Sequence, residues 1–526
     1  MKFKGLSNRA YNIVFHTHTV TGLVISIGLF VIFLAGAFAL FKEEMYRWEN
    51  QDARYNPPEI VDLDRALSRI KKSVPNFDPS EPLTIKLPTY ENPEYIFYGA
   101  ERSKDSMLIR AVVQVNSSNY EVREHKDTKT HLGQTLYDLH FFHQIPYVGL
   151  FISGFLGLFF VFATLSGLLV HWKHMISKFY AFNIKSSLQQ FWKDAHVTLS
   201  FIGLPFQLIY GVTGALLGLS ILLLLPSVMI LFGGSQQEIR GMIDPSFSLT
   251  VDENSPLSDN QSLNISYQEF MNSHEYGNVY YIRVQNYGHE DALMSFGVDD
   301  RKRMTGDGIY VVRMNTGEVL AEHSPADKSY GESVYGILIK LHYGTFGGLL
   351  VKVLYFLLAL VTCFVIISGI LLWQSSRDNK RYSNAQRKFH FQYTRLCLAI
   401  CLSLFPAIGL IFLANKCVPF DLFHRTMYVN SIFFTGWLLL SIIGLIYKDT
   451  GTLNRFYLLM GAIFSFMIPV ANGVVTGDWI WSTLYHREWY VAGVDIFWIF
   501  SGITLIFALR NKIDVPPGKR MVTKYL

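Results

Sequence analysis

Eight long apolar runs constrain this 526-residue chain more than any other feature of its sequence. Each run is long enough to cross, as a helix, a bilayer core about 30 Å thick. The runs cover approximately residues 20–41, 147–170, 197–232, 349–373, 396–414, 429–447, 455–472 and 491–509. Only 17% of the residues are charged, which is low for a soluble protein of this size. The sequence therefore predicts an α-helical integral membrane protein with about eight transmembrane helices.

The Lys and Arg residues predict how these helices are oriented, because short loops that carry them stay in the cytoplasm. They concentrate in residues 1–19, 171–196, 374–395 and the C-terminal tail. The short loops 415–428 and 473–490 contain only three. We therefore expect a bacterial inner-membrane protein with both termini cytoplasmic. The net charge of +5 is explained by this topology, so no nucleic-acid partner is expected.

The predicted domains follow from this topology. They are a first transmembrane helix at 1–41, a periplasmic module at 42–146, helices two and three at 147–232 with a cytoplasmic loop at 171–196, a second periplasmic module at 233–348, a fourth helix at 349–373, a basic cytoplasmic loop at 374–395, and a C-terminal four-helix membrane domain with a basic tail at 396–526.

Both periplasmic segments have the pattern of one amphipathic helix followed by short alternating strands. The first predicts a helix over 63–72 and strands over 82–88, 94–99, 108–116 and 119–124. The second predicts a helix over 265–273 and strands over 278–285, 292–298, 308–314 and 318–323, with a hairpin turn at Asn315-Thr316-Gly317. We therefore expect two small α+β modules of one plan. Neither segment contains cysteine, so neither has a disulfide.

The first four membrane helices contain an internal repeat. Leu139-His140 begins a predicted helix that ends in Ser166-Gly167, and Leu341-His342 begins one that ends in Ser368-Gly369, 202 positions later at both ends. His18 precedes Gly36 by 18 residues, and His196 precedes Gly214 by the same number. Such parallel repeats are related by a pseudo-twofold axis along the membrane normal. The axis would bring His18 towards His196 near the cytoplasmic face, and His140 towards His342 near the periplasmic face.

Paired histidines on facing membrane helices suit the two axial positions of a haem iron, and the resulting low-spin site is suited to electron transfer. Polar groups inside a membrane are costly and normally functional. We therefore predict two haem b groups. His18 and His196 would bind one haem iron, and His140 and His342 would bind the other.

Four other histidines compete for these roles. His16 lies two positions from His18, on another helix face, and His143 follows His140 by about one turn. His171 and His174 lie at the cytoplasmic end of the second helix, and each could ligate iron or shuttle protons. The repeat counterparts of these two are Trp373 and Ser376, which argues against a symmetric role. Several glycines, including Gly36 and Gly214, would let a flat macrocycle or a neighbouring backbone approach, although helix packing also explains them.

These residues, in this order, resemble the PepSY-associated transmembrane helix family over about residues 10–375. The segment Asn315-Thr316-Gly317-Glu318-Val319-Leu320 is similar to the PepSY hairpin. The resemblance implies an iron-regulated inner-membrane reductase, similar to siderophore reductases that use two bis-histidine haems. Such an enzyme reduces the iron of a ferric siderophore in the periplasm. Reduction suffices for release, because hard oxygen ligands hold iron(III) far better than iron(II).

The four C-terminal helices are expected to have few buried charges and contain no histidine pair, so a third haem is not expected. They could act as a scaffold, bind a quinol or recruit a partner. No nucleotide, flavin or iron–sulfur motif is present, so the electrons must come from a quinol or a cytoplasmic reductant. The expected partners are thus a ferric siderophore, that donor and membrane lipid. Two alternatives stay open: a non-enzymatic PepSY sensor or regulator, and a transporter of the siderophore or of iron.

Overall fold

The computed structural model describes residues 6–103, 107–123, 132–172, 188–231, 233–235, 241, 244–252, 254–258, 261–273, 278–300, 303–305, 307–447 and 449–510. The chain divides into two compact units. Unit 1 comprises Met1–Glu49, Thr130–Ser220 and His342–Leu526, and unit 2 comprises Asn50–Lys129 and Ile221–Leu341.

The α-helices, in chain order, are α1 (Asn8–Ala39), α2 (Lys42–Glu49), α3 (Leu63–Ser73), α4 (Leu132–His140), α5 (Gly149–His171), α6 (Leu188–Leu231), α7 (Leu263–Ser273), α8 (Tyr330–Tyr343), α9 (Gly348–Arg377), α10 (Asn384–Cys417), α11 (Arg425–Gly444), α12 (Thr450–Thr476), α13 (Ile480–Tyr485) and α14 (Trp489–Arg510). Within the described part of the chain, eight of these regions are long and apolar enough to span a membrane: α1, α5, α6, α9, α10, α11, α12 and α14. The chain is therefore a multi-pass membrane protein with the expected number of candidate spans.

Helix α6 begins at Leu188, well before the apolar run that predicts it at 197–232. His196 consequently lies inside a helix and not at the end of a loop over 171–196. The reason is that hydropathy detects only the apolar part of a helix, and the first turns of α6 are polar. Residues 173–187 of that predicted loop lie outside the described part of the chain.

The prediction that one helix runs from Leu139 to Ser166 is wrong. His140 is the last residue of α4, and a turn separates it from the spanning helix α5. The backbone at Phe142 is left-handed, with φ +56°, and its repeat counterpart Gly344 has φ +65°. Such a conformation cannot continue an α-helix. Both repeats therefore place a histidine at the end of a short helix, just before a spanning helix.

In unit 1, α1 packs against α4, α5 and α9. Helices α5 and α6 approach closely through glycines, since a Cβ atom on Gly154 would lie 2.7 Å from the backbone of Gly218. The C-terminal helices form their own group, in which α10 packs against α11 and α12, and α12 packs against α14. The buried apolar core of the unit runs through both groups.

The β-strands, all in unit 2, are β1 (Phe77–Asp78), β2 (Leu83–Lys86), β3 (Glu94–Arg102), β4 (Leu108–Asn116), β5 (Val122–Arg123), β6 (Val279–Gln285), β7 (Leu293–Asp299), β8 (Asp307–Arg313) and β9 (Val319–His323). They form one antiparallel sheet in the order β5-β4-β3-β2-β6-β7-β8-β9, and β1 also pairs with β3. Where the sequence predicts two separate modules, β2 pairs with β6 from Leu83 opposite Val284 to Lys86 opposite Tyr281. The two chain segments therefore share one sheet and one hydrophobic core.

Helices α3 and α7 cap each other at their N-termini. Asp64 of α3 accepts hydrogen bonds from the backbone N–H groups of Leu263 at 2.8 Å and Asn264 at 3.2 Å. Asn264 of α7 in turn accepts one from the backbone N–H of Leu63 at 2.6 Å. These contacts satisfy N–H groups that a helix leaves unpaired at its start. They join the two segments of unit 2 symmetrically, 200 positions apart in the sequence.

Candidate functional site

Two histidines of unit 1 face each other at one level of the helix bundle. His18 extends from α1 and His196 from α6, and their ring centres lie 6.2 Å apart, with the ring planes at 67°. Both rings are half-buried among helices. The structure thus brings together the pair that the repeat predicts.

A second pair lies at another level of the same unit. His140, at the end of α4, faces His342, near the end of α8, with ring centres 6.0 Å apart and planes at 48°. Burial away from water lowers the pKa of both imidazoles, and for His342, where the neighbouring His140 adds to the effect, it lowers the pKa to about 3. Both rings are therefore neutral at physiological pH, which is the form that ligates a metal.

The Nδ1 atom of each histidine has a hydrogen-bond partner. For three of them the partner is a backbone carbonyl, at Ala163 for His18 (2.8 Å), Ile32 for His140 (2.8 Å) and Val365 for His196 (2.9 Å). A carbonyl oxygen only accepts, so Nδ1 must carry the proton. The other ring nitrogen, Nε2, then keeps its lone pair free for a metal. Ala163 and Val365 are 202 positions apart, so the repeat preserves this arrangement.

His342 reaches the same tautomer by a different partner. Its Nδ1 lies 2.8 Å from the hydroxyl oxygen of Thr213, and that hydroxyl donates its own proton to the carbonyl of Ile209 at 2.7 Å. The oxygen must therefore accept from Nδ1. All four histidines thus present Nε2 as a possible ligand atom.

The spacing of each pair fits one metal ion between the two rings. With a metal–imidazole bond of about 2 Å and about 1 Å more from the nitrogen to its ring centre, two axial imidazoles have ring centres about 6 Å apart. The observed separations are 6.2 and 6.0 Å. Within the described ranges, no group of three or more His, Cys, Asp or Glu residues is placed to hold a metal ion. Each pair can therefore offer two imidazole nitrogens to one metal ion.

Glycines of the repeat provide the space that the histidine rings occupy. A Cβ atom on Gly36 would lie 2.5 Å from Nδ1 of His140. On Gly167 and Gly369 it would lie 2.9 and 3.0 Å from Cε1 of His18 and His196. The fourth glycine, Gly214, would place its Cβ 4.0 Å from His342, an ordinary contact. A side chain at Gly36 or Gly167 would therefore force the neighbouring ring to move, and one at Gly369 would make a tight contact with its ring.

Aromatic side chains fill the bundle between the two pairs. Phe33 of α1 packs against Phe160 of α5 at 5.2 Å and Phe206 of α6 at 6.2 Å, and Phe206 packs against Tyr355 of α9 at 5.4 Å. Tyr210 continues the cluster to His342, at 5.1 Å between ring centres. From His18 to the carbonyl of Ile32, which binds His140, α1 rises about 20 Å. The two pairs are therefore separate sites with an apolar layer between them.

The competing histidines take different positions. His16 and His143 are exposed, and the ring of His143 contacts Phe141 at 5.4 Å. His171 ends α5 and interacts electrostatically with His196, so it lies near the His18/His196 pair. His174 lies outside the described residues. Among the described residues, neither His16 nor His143 faces another histidine.

Sequence reasoning missed two features of unit 1. The hydroxyl of Thr213 could not be assigned, because the repeat counterpart of this residue is Ala35 and only the neighbouring Gly214 belongs to the motif. The buried charges of the C-terminal helices were also not apparent. Lys416, Arg425 and Asp495 are 2%, 1% and 0% exposed. In the sequence, Lys416 and Arg425 lie in the predicted loop 415–428, and Asp495 is a single charge inside the predicted span 491–509.

Comparisons with known proteins agree with this architecture. The family described as PepSY-associated TM region matches residues 15–375, which is more than half of the chain. A search of curated proteins finds no match. The matched region contains all four paired histidines and both halves of the repeat. The chain belongs to the PepSY-associated TM family.

Proposed function

We propose that this protein binds two haem b groups, one at each histidine pair, and passes electrons across the bacterial inner membrane to the iron(III) of a ferric siderophore in the periplasm. The observation that carries the proposal is the geometry of the two pairs. Each has ring centres about 6 Å apart, as two axial ligands require, and each ring has its Nδ1 proton held by a protein acceptor.

A haem held by His18 and His196, or by His140 and His342, would supply one-electron transfer. The residues of the chain would hold and orient this group. Their carbonyl and hydroxyl acceptors fix the imidazole tautomer and ring direction, which sets the ligand strength of Nε2. The aromatic side chains around Phe33 and Phe206 give the region between the sites a low polarity, which strengthens electrostatic interactions there. One electron delivered to the chelate converts iron(III) to iron(II), which hydroxamate or catecholate oxygens hold poorly.

The remaining parts of the proposal concern location and partners. The basic loops support cytoplasmic termini, and the His140/His342 pair would then lie near the periplasmic face. Unit 2 would correspond to two PepSY-like modules joined through β2 and β6, and it would supply the periplasmic surface. The electron donor would be a quinol or a cytoplasmic reductant, since the sequence contains no motif for a nucleotide, flavin or iron–sulfur cofactor.

Haem counting on single variants tests this proposal. We expect two haems in the wild type and one in each of His18→Ala, His196→Ala, His140→Ala and His342→Ala. The spectra of these four variants should assort into two classes, with His18 like His196 and His140 like His342. His16→Ala and His143→Ala are matched controls and should retain both haems. A colourless wild type prepared with ample haem would refute the proposal and favour a regulatory protein.

Activity is tested with the chemically reduced protein. We expect a ferric hydroxamate to reoxidise the haems, while an iron(II)-selective chromogenic chelator reports one iron(II) for each electron lost. Reoxidation without iron(II) would exclude the siderophore as substrate. Uptake of the intact chelate into vesicles without any reductant would instead favour the transporter alternative.

A further inference from the structure

The C-terminal helices make direct polar contacts with α4, the short helix that ends in His140. The hydroxyl of Thr135 in α4 donates to Oδ1 of Asn430 in α11 at 2.9 Å. At the start of the same helix, the backbone N–H of Leu132 donates to both carboxylate oxygens of Glu49 at 2.9 Å. The side-chain amide of Asn415 in α10 donates to that carboxylate at 3.3 Å. Helix α4 is therefore held at its first turn and at its middle.

Glu49 is 1% exposed, so its carboxylate needs compensation. It receives this from the N-terminus of α4, where the helix dipole favours a negative charge, and from the amide of Asn415. The guanidinium of Arg425 adds an electrostatic attraction. Two of these three groups belong to the C-terminal helices. Glu49 thus connects those helices to the start of α4.

Helix α2, which ends in Glu49, is itself fixed by the C-terminal helices. The indole N–H of Trp48 donates to Asp495 of α14 at 2.8 Å, and the ammonium group of Lys416 lies 4.0 Å from the centre of the Trp48 ring. Arg47 forms an ion pair with Glu488 at 2.9 Å. The carboxylate of Asp495 also accepts a hydrogen bond from the side-chain amide of Asn472 at 2.9 Å, so both Trp48 and Asn472 bind it. The two residues that precede Glu49 are therefore also bound to the C-terminal part of the chain.

We propose that the four C-terminal helices position His140 for haem binding, with Glu49, Thr135 and Asn430 as the positioning residues. This inference rests on the proposed function. It adds that haem binding at His140 depends on the C-terminal helices, which lie outside the residues that the family matches. The ring of His140 fits between the carbonyl of Ile32 and the surface of Gly36. A shift of the nine-residue helix α4 would therefore change the 6.0 Å separation between the rings of His140 and His342.

The test compares Thr135→Val and Glu49→Gln with the conservative variant Thr135→Ser. Absorption and electron paramagnetic resonance spectra of the purified full-length protein report the spin state of each haem. We expect Thr135→Val and Glu49→Gln to convert part of the His140/His342 haem from low-spin to high-spin and to shift its midpoint potential. The His18/His196 haem should stay unchanged as an internal reference, and Thr135→Ser should restore the wild-type spectrum.

The matched control is Tyr457→Phe. Its hydroxyl donates to the carbonyls of Ala399 and Leu440, so this variant removes a buried hydrogen bond from the C-terminal helices without touching α4. It should leave both haems as in the wild type. If Thr135→Val and Glu49→Gln leave the His140/His342 haem unaltered, or if both haems change equally in every variant, the inference is wrong.

Hydrogen exchange separates the failure of this inference from failure of the proposed function. Loss of one hydrogen bond should make the amides of residues 132–140 exchange about fivefold to tenfold faster in Thr135→Val and Glu49→Gln. A wild type without haem would refute the proposed function, and unchanged exchange in α4 would then also refute the positioning role. Faster exchange confined to α4 would support the restraint whatever cofactor is bound.

Discussion

Gly36 and His140 are in direct contact, and no other amino acid fits at Gly36 without moving the imidazole. The Cβ atom of any other residue would lie 2.5 Å from Nδ1 of His140, which already bonds the carbonyl of Ile32. The repeat counterpart of this contact, between Gly214 and His342, is looser, at 4.0 Å. A side chain in place of the glycine therefore fits less well beside His140 than beside His342.

This difference predicts unequal effects for one substitution at two equivalent positions. Gly36→Ala should displace His140. Retention of the haem at the His140/His342 pair should then weaken by tenfold to a hundredfold, because overpacking costs about 1–3 kcal/mol. Gly214→Ala is the matched control and should retain two haems per chain. Haem titration of both purified variants measures the effect. Equal loss in the two variants would show that the close contact at His140 does not matter.

A second prediction concerns the hydroxyl that orients His342. Thr213→Val keeps the shape of the side chain but removes the acceptor for Nδ1. Loss of such a partner typically weakens metal binding by about 10–100-fold. We expect weaker retention of the His140/His342 haem and a shifted midpoint potential, while the other haem is unaffected. Thr213→Ser keeps the hydroxyl and should behave as the wild type. If it behaves as Thr213→Val instead, haem retention depends on the methyl group of Thr213 and not on its hydrogen bond.

The sequence predicts much of this site because the four histidines recur at fixed offsets in an internal repeat. Matching offsets link His18 to His196 and His140 to His342 without any knowledge of the packing, and the structure brings both pairs to about the same separation. The partners of Nδ1 were not predictable. Three of them are backbone carbonyls, which leave no trace in side-chain identity.

In the fold, too, local structure is predicted by the sequence, whereas contacts between distant residues are not. Alternating hydrophobicity predicts most strands of unit 2 within about two residues at each end, although β3 extends to Arg102, β5 begins only at Val122, and the short strand β1 was missed. The pairing of β2 with β6 was also missed. It joins residues about 200 positions apart, and a strand pattern specifies which face is buried but not which strand lies beside it.

A third prediction concerns the reciprocal caps that join the two segments of unit 2. Asp64→Ala and Asn264→Ala should each destabilise the protein by about 1–2 kcal/mol, because each leaves helix N–H groups unpaired. The double variant should cost less than the sum, since Asn264 both donates to and accepts from the segment that contains Asp64. Chemical unfolding of the full-length protein, followed by circular dichroism, gives the coupling energy. Strict additivity would show that the two caps act independently.

The native cysteines provide a test of the proposed orientation in the membrane. Cys363, Cys397 and Cys401 are buried, whereas Cys417, at the end of α10, is exposed. The loop that follows Cys417 carries few basic residues and is expected in the periplasm. A membrane-impermeant maleimide added to intact spheroplasts should therefore label the wild type once and leave Cys417→Ser unlabelled. Labelling of Cys417 only after the spheroplasts are lysed would place this loop in the cytoplasm. The His140/His342 pair would then face the cytoplasm too, and periplasmic iron could not be the acceptor.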